Sequence, residues 1–159
     1  MHIKKVANLF INFTIKRIIE IFGIIIFSTG ILLAISLTSY SPDDPNFVFP
    51  GNTQINNILG FQGAIVSDLF FQSIGLISYL FSLTLIITGI NIFRSKDFFL
   101  IIENIFFTII YSLFGSFFLE YFYSNSFTLY INGNGGFIGS YLEQTFLTSL
   151  VQINETLFY

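Results

Sequence analysis

The sequence predicts an all-α fold: a polytopic helical membrane protein with three transmembrane helices plus amphipathic interfacial helices. Three observations carry that reading. Of 159 residues, 53% are hydrophobic and only 9% charged, whereas a water-soluble domain carries about a quarter charged residues; the mean hydropathy is +0.78. No formal charge falls between Asp68 and Arg94, a run long enough, at about 1.5 Å rise per residue, to cross the roughly 30 Å hydrocarbon layer. The basic residues are Lys4, Lys5, Lys16, Arg17, Arg94 and Lys96, with none between 18 and 93 and none after 96. If spans run near 20–38, 74–93 and 98–120, every one falls on a single side of the bilayer. The bias of lysine and arginine in short loops makes that side, with the amino terminus, cytoplasmic.

Residues 1–19 read as a basic amphipathic juxtamembrane helix. Lys5, Asn8, Asn12 and Lys16 advance by three or four positions, with Ile3, Val6, Phe10 and Phe13 opposing them. Such a helix is expected to lie along the inner leaflet, where anionic lipid attracts each Lys or Arg by roughly 1 kcal/mol. The membrane domain, 20–123, opens with an apolar stretch from Ile21 to Leu37. It exceeds a signal-peptide core of about 7 to 15 residues and lacks a clean small-x-small cleavage site, so it reads as an uncleaved anchor. Gly30, Ala34 and Thr38, at i, i+4 and i+8, make a seam of small residues on this helix. It reads as ordinary packing within the membrane, with an oligomer contact as the alternative.

Pro42 and Pro45 end the first helix by removing backbone donors. The outer loop and interfacial helix, 39–73, follow. Residues 46–57 read as an irregular loop with Phe47 and Phe49 touching the interface. Around the next helix Ile58, Phe61, Ile65 and Leu69 form one stripe, with Asp68 and Gln72 at its edge, and Gly60, Gly63 and Ser67 lie opposite, which suits a short helix packed closely on a neighbour at the outer leaflet. Gly75 allows a bend before the second span. Asp68 reads as a water-exposed interfacial carboxylate, the alternative being a proton or ion relay.

The loop Arg94-Ser95-Lys96-Asp97 is short, so the second and third spans are expected to form an antiparallel hairpin. The third borrows residues 98–103 for length, which brings Glu103 inside the edge and motivates its pairing with Arg94 or Lys96. Beyond Tyr123, residues 124–159 read as an outer glycine-introduced segment. Gly136, Ile138, Ser140 and Leu142 repeat the spacing of Gly63, Ile65, Ser67 and Leu69, as two similar hairpins would. Residues 147–159 are too short and polar for a fourth span.

Two motifs in order, Ser39, Tyr40, Pro42, Asp44 and Pro45, then Gly63, Ala64, Ser67, Asp68 and Leu69, resemble the amino-terminal four-helix membrane domain of bacterial FtsK/SpoIIIE-type DNA translocases. In that family a Ser-Tyr-x-Pro-x-Asp-Pro turn ends the first helix and a Gly-Ala-x-x-Ala/Ser-Asp-Leu motif introduces the second. The resemblance implies a membrane-anchoring, self-associating module at the septum of the bacterial inner membrane, acting in cell division and chromosome segregation. It also implies a homo-oligomer, contacts with division-site membrane proteins as well as the lipid bilayer, and a chain that ends before the fourth helix and the motor.

The residues themselves exclude several chemistries. No lysine follows a glycine, so there is no phosphate-cradling Gly-x-x-x-x-Gly-Lys-Ser/Thr loop and no ATPase motor; ATP and magnesium belong to the motor the resemblance implies elsewhere. There is no cysteine, and His2 is the only histidine, so no metal, cofactor or catalytic residue is assigned. Gly133-Asn134-Gly135-Gly136 reads as a flexible turn. Six scattered basic residues do not make a nucleic-acid surface. The rival class is a small multispanning transporter or pore component, suggested by the repeat and the bend at Gly75.

Overall fold

The computed structural model describes residues 2–45, 54–123 and 133–145, with side chains from Asn8 onward. Its helices are α1 (His2–Thr38), α2 (Gly60–Ile74), α3 (Ile77–Ser95) and α4 (Phe99–Tyr123), followed by α5 (136–145). Among the described residues there is no strand. Among the described residues three stretches are long and apolar enough to cross a membrane: Asn8–Thr38 in α1, all of α3 and all of α4. This is the all-α, polytopic class the composition predicts. Phe47, Phe49 and the stretch 147–159 lie outside the described residues.

α1 differs from expectation at its amino-terminal half. The boundary proposed at residue 19 has no counterpart, because one uninterrupted helix of 37 residues runs from His2 to Thr38. At 1.5 Å per residue it is about 55 Å long, well over the roughly 30 Å hydrocarbon layer. The basic segment therefore continues the axis of the span and does not turn aside as a separate surface helix. The physical reason is local: no glycine or proline precedes Gly23 to break the hydrogen-bond ladder. The Arg17–Glu20 ion pair, at i,i+3, also straddles the expected boundary.

α3 runs antiparallel to α1, and theirs is the largest helix interface. Glycine makes it close. A Cβ on Gly89 would stand 2.5 Å from Phe27 N, one on Gly23 2.8 Å from Phe93 N, and one on Gly30 2.8 Å from Ile86 N. Lipid tails are as apolar as leucine, so such contacts depend on van der Waals fit between backbones more than on hydrophobic burial.

α3 and α4 form the expected antiparallel hairpin. Lys96 adopts a left-handed φ of 59° to close α3, and the Asp97 carboxylate accepts the Phe99 N–H at 2.9 Å to open α4. Asn104 Nδ2 donates to Thr88 Oγ1 at 2.9 Å, and the Thr84 and Tyr111 hydroxyls share a 2.8 Å bond. The only buried residues of α4 are Ser112 and Ser116, while Phe106, Phe114 and Phe122 are exposed. Small polar groups inside and large apolar groups outside invert the arrangement of a water-soluble bundle, as lipid as the solvent requires. The apolar core is correspondingly small: Leu33, Leu37 and Phe71, with Tyr40, Phe70, Phe81 and Leu85 packed around them.

Candidate functional site

At the end of the bundle away from the basic residues, α1 stops and its last carbonyls need donors. Ser41-Pro42-Asp43-Asp44 makes a turn closed by Asp44 N–H to Ser41 O at 3.2 Å, with proline in the position whose φ the turn demands. The turn aims the Asp44 carboxylate at the returning chain. There it accepts Asn56 N–H at 2.7 Å and Asn57 N–H at 2.9 Å. Asp44 is 7% exposed and Asn57 4%.

Asn57 is the hub. Its Nδ2 donates to Ser36 O at 2.9 Å and Ser39 O at 3.3 Å, and its Oδ1 accepts Leu59 N–H at 3.0 Å. Tyr79 OH reaches back from α3 to Leu37 O at 3.2 Å. Carbonyls at and just past the end of α1, those of Ser36, Leu37 and Ser39, thus accept from side chains distant in sequence, which matters where water is scarce. Ser36 Oγ donates to Gly63 O at 2.6 Å, fastening α2 onto α1. Gly63 itself makes the room, because a Cβ there would stand 2.2 Å from Asn57 Oδ1.

A second polar clasp uses the same parts. α5 starts at Gly136, φ 65°, as α2 starts at Gly60, φ 67°. Gly136 N–H bonds to Gly133 O as Gly60 N–H bonds to Asn57 O. Gly139 packs on Ser116 O of α4, its virtual Cβ at 2.5 Å. Glu120 Oε2 accepts Gly135 N–H at 3.1 Å, in the manner of Asp44, and the buried Asn134 donates through Nδ2 to Tyr123 O. The structure thereby shifts the internal repeat by three residues. Gly60-Phe61-x-Gly63 corresponds to Gly136-Phe137-x-Gly139, not Gly63 to Gly136, because both helices begin on the first glycine and pack through the second. The run 133–136 is also corrected from a flexible turn to a packed one. Gly75, at φ 61° and ψ −139°, lies against it, with Leu76 N–H donating to Asn134 O at 2.9 Å and Ser116 Oγ donating to Ile74 O at 3.1 Å. That conformation breaks the helix, so the second span starts at Ile77 and not at 74.

The residues picked from the sequence are placed as follows. Ser39, Asp44, Gly63 and Ser67 belong to the first clasp, and Gly75 to the second. Ser39 Oγ accepts Ile58 N–H at 3.2 Å; Ser67 Oγ donates to Gly63 O at 2.9 Å. Ala64 and Pro45 are buried, and Pro42 and Leu69 exposed. Tyr40 OH donates to Asp68 Oδ1 at 3.3 Å and Gln72 Nε2 to Asp68 Oδ2 at 2.7 Å. Asp68 thus sits half-buried between neutral donors, an arrangement that ties α2 to the end of α1. Of the small-residue seam, Gly30 faces α3 and Ala34 is half-buried, but Thr38 is exposed. The close approach continues instead through Gly23 and Gly89, which sequence reading missed. It also missed Asn57 and Asn134, each embedded in an Asn/Gly-rich stretch that reads as plain loop; the Gly-Phe-x-Gly spacing downstream was the available signal.

At the basic end, Glu20 is 8% exposed. It accepts Arg17 Nη1 at 2.5 Å and Lys96 Nζ at 2.8 Å. The expected pairing of Glu103 with Arg94 or Lys96 is thus corrected to Lys96 with Glu20, because α1 packs against the end of α3 and brings Glu20 within reach of Lys96. Lys16, Arg17, Arg94 and Lys96 are exposed; for Lys4 and Lys5 the helical backbone alone is described. Glu20→Gln and Lys96→Met are each expected to weaken the α1–α3 association, and the double variant to be little worse than Glu20→Gln. A double-mutant cycle on detergent unfolding checks this, additive losses being the contrary outcome.

Two long helices, each followed by a glycine-started short helix pinned to its end, define a polytopic α-helical membrane domain built from repeated hairpins. Residues 15–159 match the family described as the 4TM region of DNA translocase FtsK/SpoIIIE, and the chain belongs to that family. It is similar to DNA translocase FtsK of Rickettsia prowazekii, 35% identical over 69 residues, which are 43% of this chain and 9% of that protein. It is likewise similar to DNA translocase FtsK of Azospirillum brasilense, 32% identical over 87 residues, 54% of this chain and 14% of that protein. For DNA translocase FtsK of Rickettsia typhi the figures are 31% over 72 residues, 45% and 10%. The matches thus cover 14% or less of these curated relatives' length. No solved structure matches the chain.

Proposed function

We propose that this membrane-anchoring module is the self-associating amino-terminal part of an FtsK-type DNA translocase. It sits in the bacterial inner membrane with its amino terminus cytoplasmic, and serves cell division and chromosome partition at the septum. The observation that carries this reading is the family match over 15–159 on a bundle whose ends differ chemically. Arg17, Arg94 and Lys96 gather at one end, where the positive-inside rule expects cytoplasm. The polar clasps close the other. ATP and magnesium belong to the motor, and the partners of this chain are lipid, its own copies and division-site membrane proteins, not nucleic acid.

The intramembrane hydroxyls support an anchor over a pore. Ser78 Oγ donates to Gly75 O and Ser82 Oγ to Tyr79 O, and Thr84 and Thr88 cross-link α3 to α4. The two serine hydroxyls are thus taken up by the backbone of their own segment and the two threonine hydroxyls by side chains of α4. The test is a set of compartment reporters after Arg17, Asp44 and Arg94, with a fluorescent fusion followed through the cell cycle. Reporters at Arg17 and Arg94 are expected in the cytoplasm, the one at Asp44 outside, and the fusion at the septum. Arg17 and Arg94 in different compartments overturns the anchor topology, and even distribution around the cell overturns the division role.

A further inference from the structure

Among the described residues near the basic end, the charged groups without an ion pair or hydrogen bond include Lys16, Arg94 and Glu103. Arg94 and Glu103 are exposed, and neither forms an ion pair or hydrogen bond, although Lys96 beside one and Asn104 beside the other are engaged. They project from different faces. Arg94 follows Ile90 by four residues, so it shares the face of α3 that borders a groove between α1 and α3. That groove, of about 220 Å³, is lined by Gly23, Ile24, Phe27, Gly89, Ile90 and Phe93. Glu103 stands instead on the outer face of α4 among Phe99, Phe106 and Phe107, which are 75%, 60% and 55% exposed.

The depths of the two features agree. Thr88 bonds to Asn104 and Thr84 to Tyr111 across the antiparallel hairpin, so residues 89–94 of α3 lie level with about 98–103 of α4, at 1.5 Å per residue on each strand of the hairpin. Copies inserted in the same orientation are held at the same depth. The aromatic ridge of one then faces the groove of the next; Glu103, level with about residue 90, and Arg94, level with about residue 99, are offset by roughly 6 Å along the axis, a gap the long arginine side chain can reach across, at a layer where pairing is worth more than in water.

We propose that the Phe99–Phe107 ridge of α4 seats in the α1–α3 groove of a second copy of this chain, Glu103 pairing with that copy's Arg94. The inference rests on the self-association reading and gives it a surface. The contact joins two different faces, so it is heterologous and closes into a ring when the rotation allows.

The test uses the intact chain in lipid bilayers, with self-association read by energy transfer between labelled copies. Arg94→Glu and Glu103→Arg are each expected to weaken association about tenfold, a size typical of a close charge pair at an interface, and the double reversal in one chain to restore it. Because the chain has no cysteine, Phe93→Cys in one tagged copy and Phe99→Cys in another are expected to form an inter-copy disulfide that neither forms with itself. Helix content and compartment reporters, unchanged in every variant, control for folding and topology. Absence of association in the unaltered chain overturns the self-association reading itself. Association indifferent to both reversals overturns only this surface, as does a loss the double reversal leaves uncorrected, which assigns the charges to lipid headgroups.

Discussion

Replacing Gly75 with alanine is expected to destabilise the folded domain by about 4 kcal/mol. The Gly75 φ of 61° and ψ of −139° fall in territory that costs a side-chain-bearing residue about 1–3 kcal/mol. A Cβ there would stand 1.9 Å from Asn134 O, a backbone atom that cannot swing away, and overpacking adds about 1–3 kcal/mol. Gly60→Ala is the matched control. It has the same sign of φ, 67°, but open space around the added carbon, so it carries the conformational cost alone, about 1–2 kcal/mol. Denaturation of the two variants in micelles, followed by helical circular dichroism, measures the difference. Equal losses would mean that the packing of α3 against the 133–136 turn does not contribute.

Asn57→Ala is expected to cost about 3 kcal/mol, since it strips donors from buried carbonyls, each worth about 1–3 kcal/mol when left unmade. The substitution strips Ser39 O of its amide donor, leaves Ser36 O only the 3.4 Å bond from Ser39 Oγ, and removes the acceptor for Leu59 N–H. Asn56→Ala, next door, removes only a 3.5 Å contact to Ser41 Oγ and is expected to be nearly silent. Limited proteolysis of the 39–59 segment in bilayers separates the two: Asn57→Ala opens it to cleavage and Asn56→Ala leaves it closed. If both behave alike, Asn57 is not the residue that holds the end of α1.

The spans were legible because their signal is one-dimensional. Length, apolarity and the absence of charge between Asp68 and Arg94 identify α3 without any partner, and the four residues from Arg94 to Asp97 leave the chain no choice but a hairpin. The close packing of α2 was partly legible: the small residues Gly63 and Ser67 are buried and Leu69 exposed, but the bulky Phe71 and Ile74 are buried with them. The repeat was half legible. The composition showed that two glycine-led segments follow outward-running helices, but register depends on which glycine begins the helix, and that is a backbone angle.

What stayed illegible depends on a partner far along the chain. Glu20 in isolation is an acidic residue beside Arg17, and its second partner, Lys96, is recognised only once α3 returns beside α1. Asn57 and Asn134 look like loop residues until helix ends appear next to them. Gly23 and Gly89 look like ordinary intramembrane glycines until the two backbones cross.

The sequence by itself determined that this chain is a membrane protein, where it crosses, which residues turn it round and which family it resembles. All of these follow from local hydropathy, charge and motif spacing, which need no third dimension. The tertiary structure alone decided that α1 is one continuous rod, that the repeat is set on Gly60 and Gly136, that Asn57 holds the carboxyl-terminal end of α1 and that Glu20, midway along it, holds the end of α3. Those outcomes are set by which orphan polar groups the fold brings within hydrogen-bonding distance, and in a medium without water each such group must find its partner inside the protein.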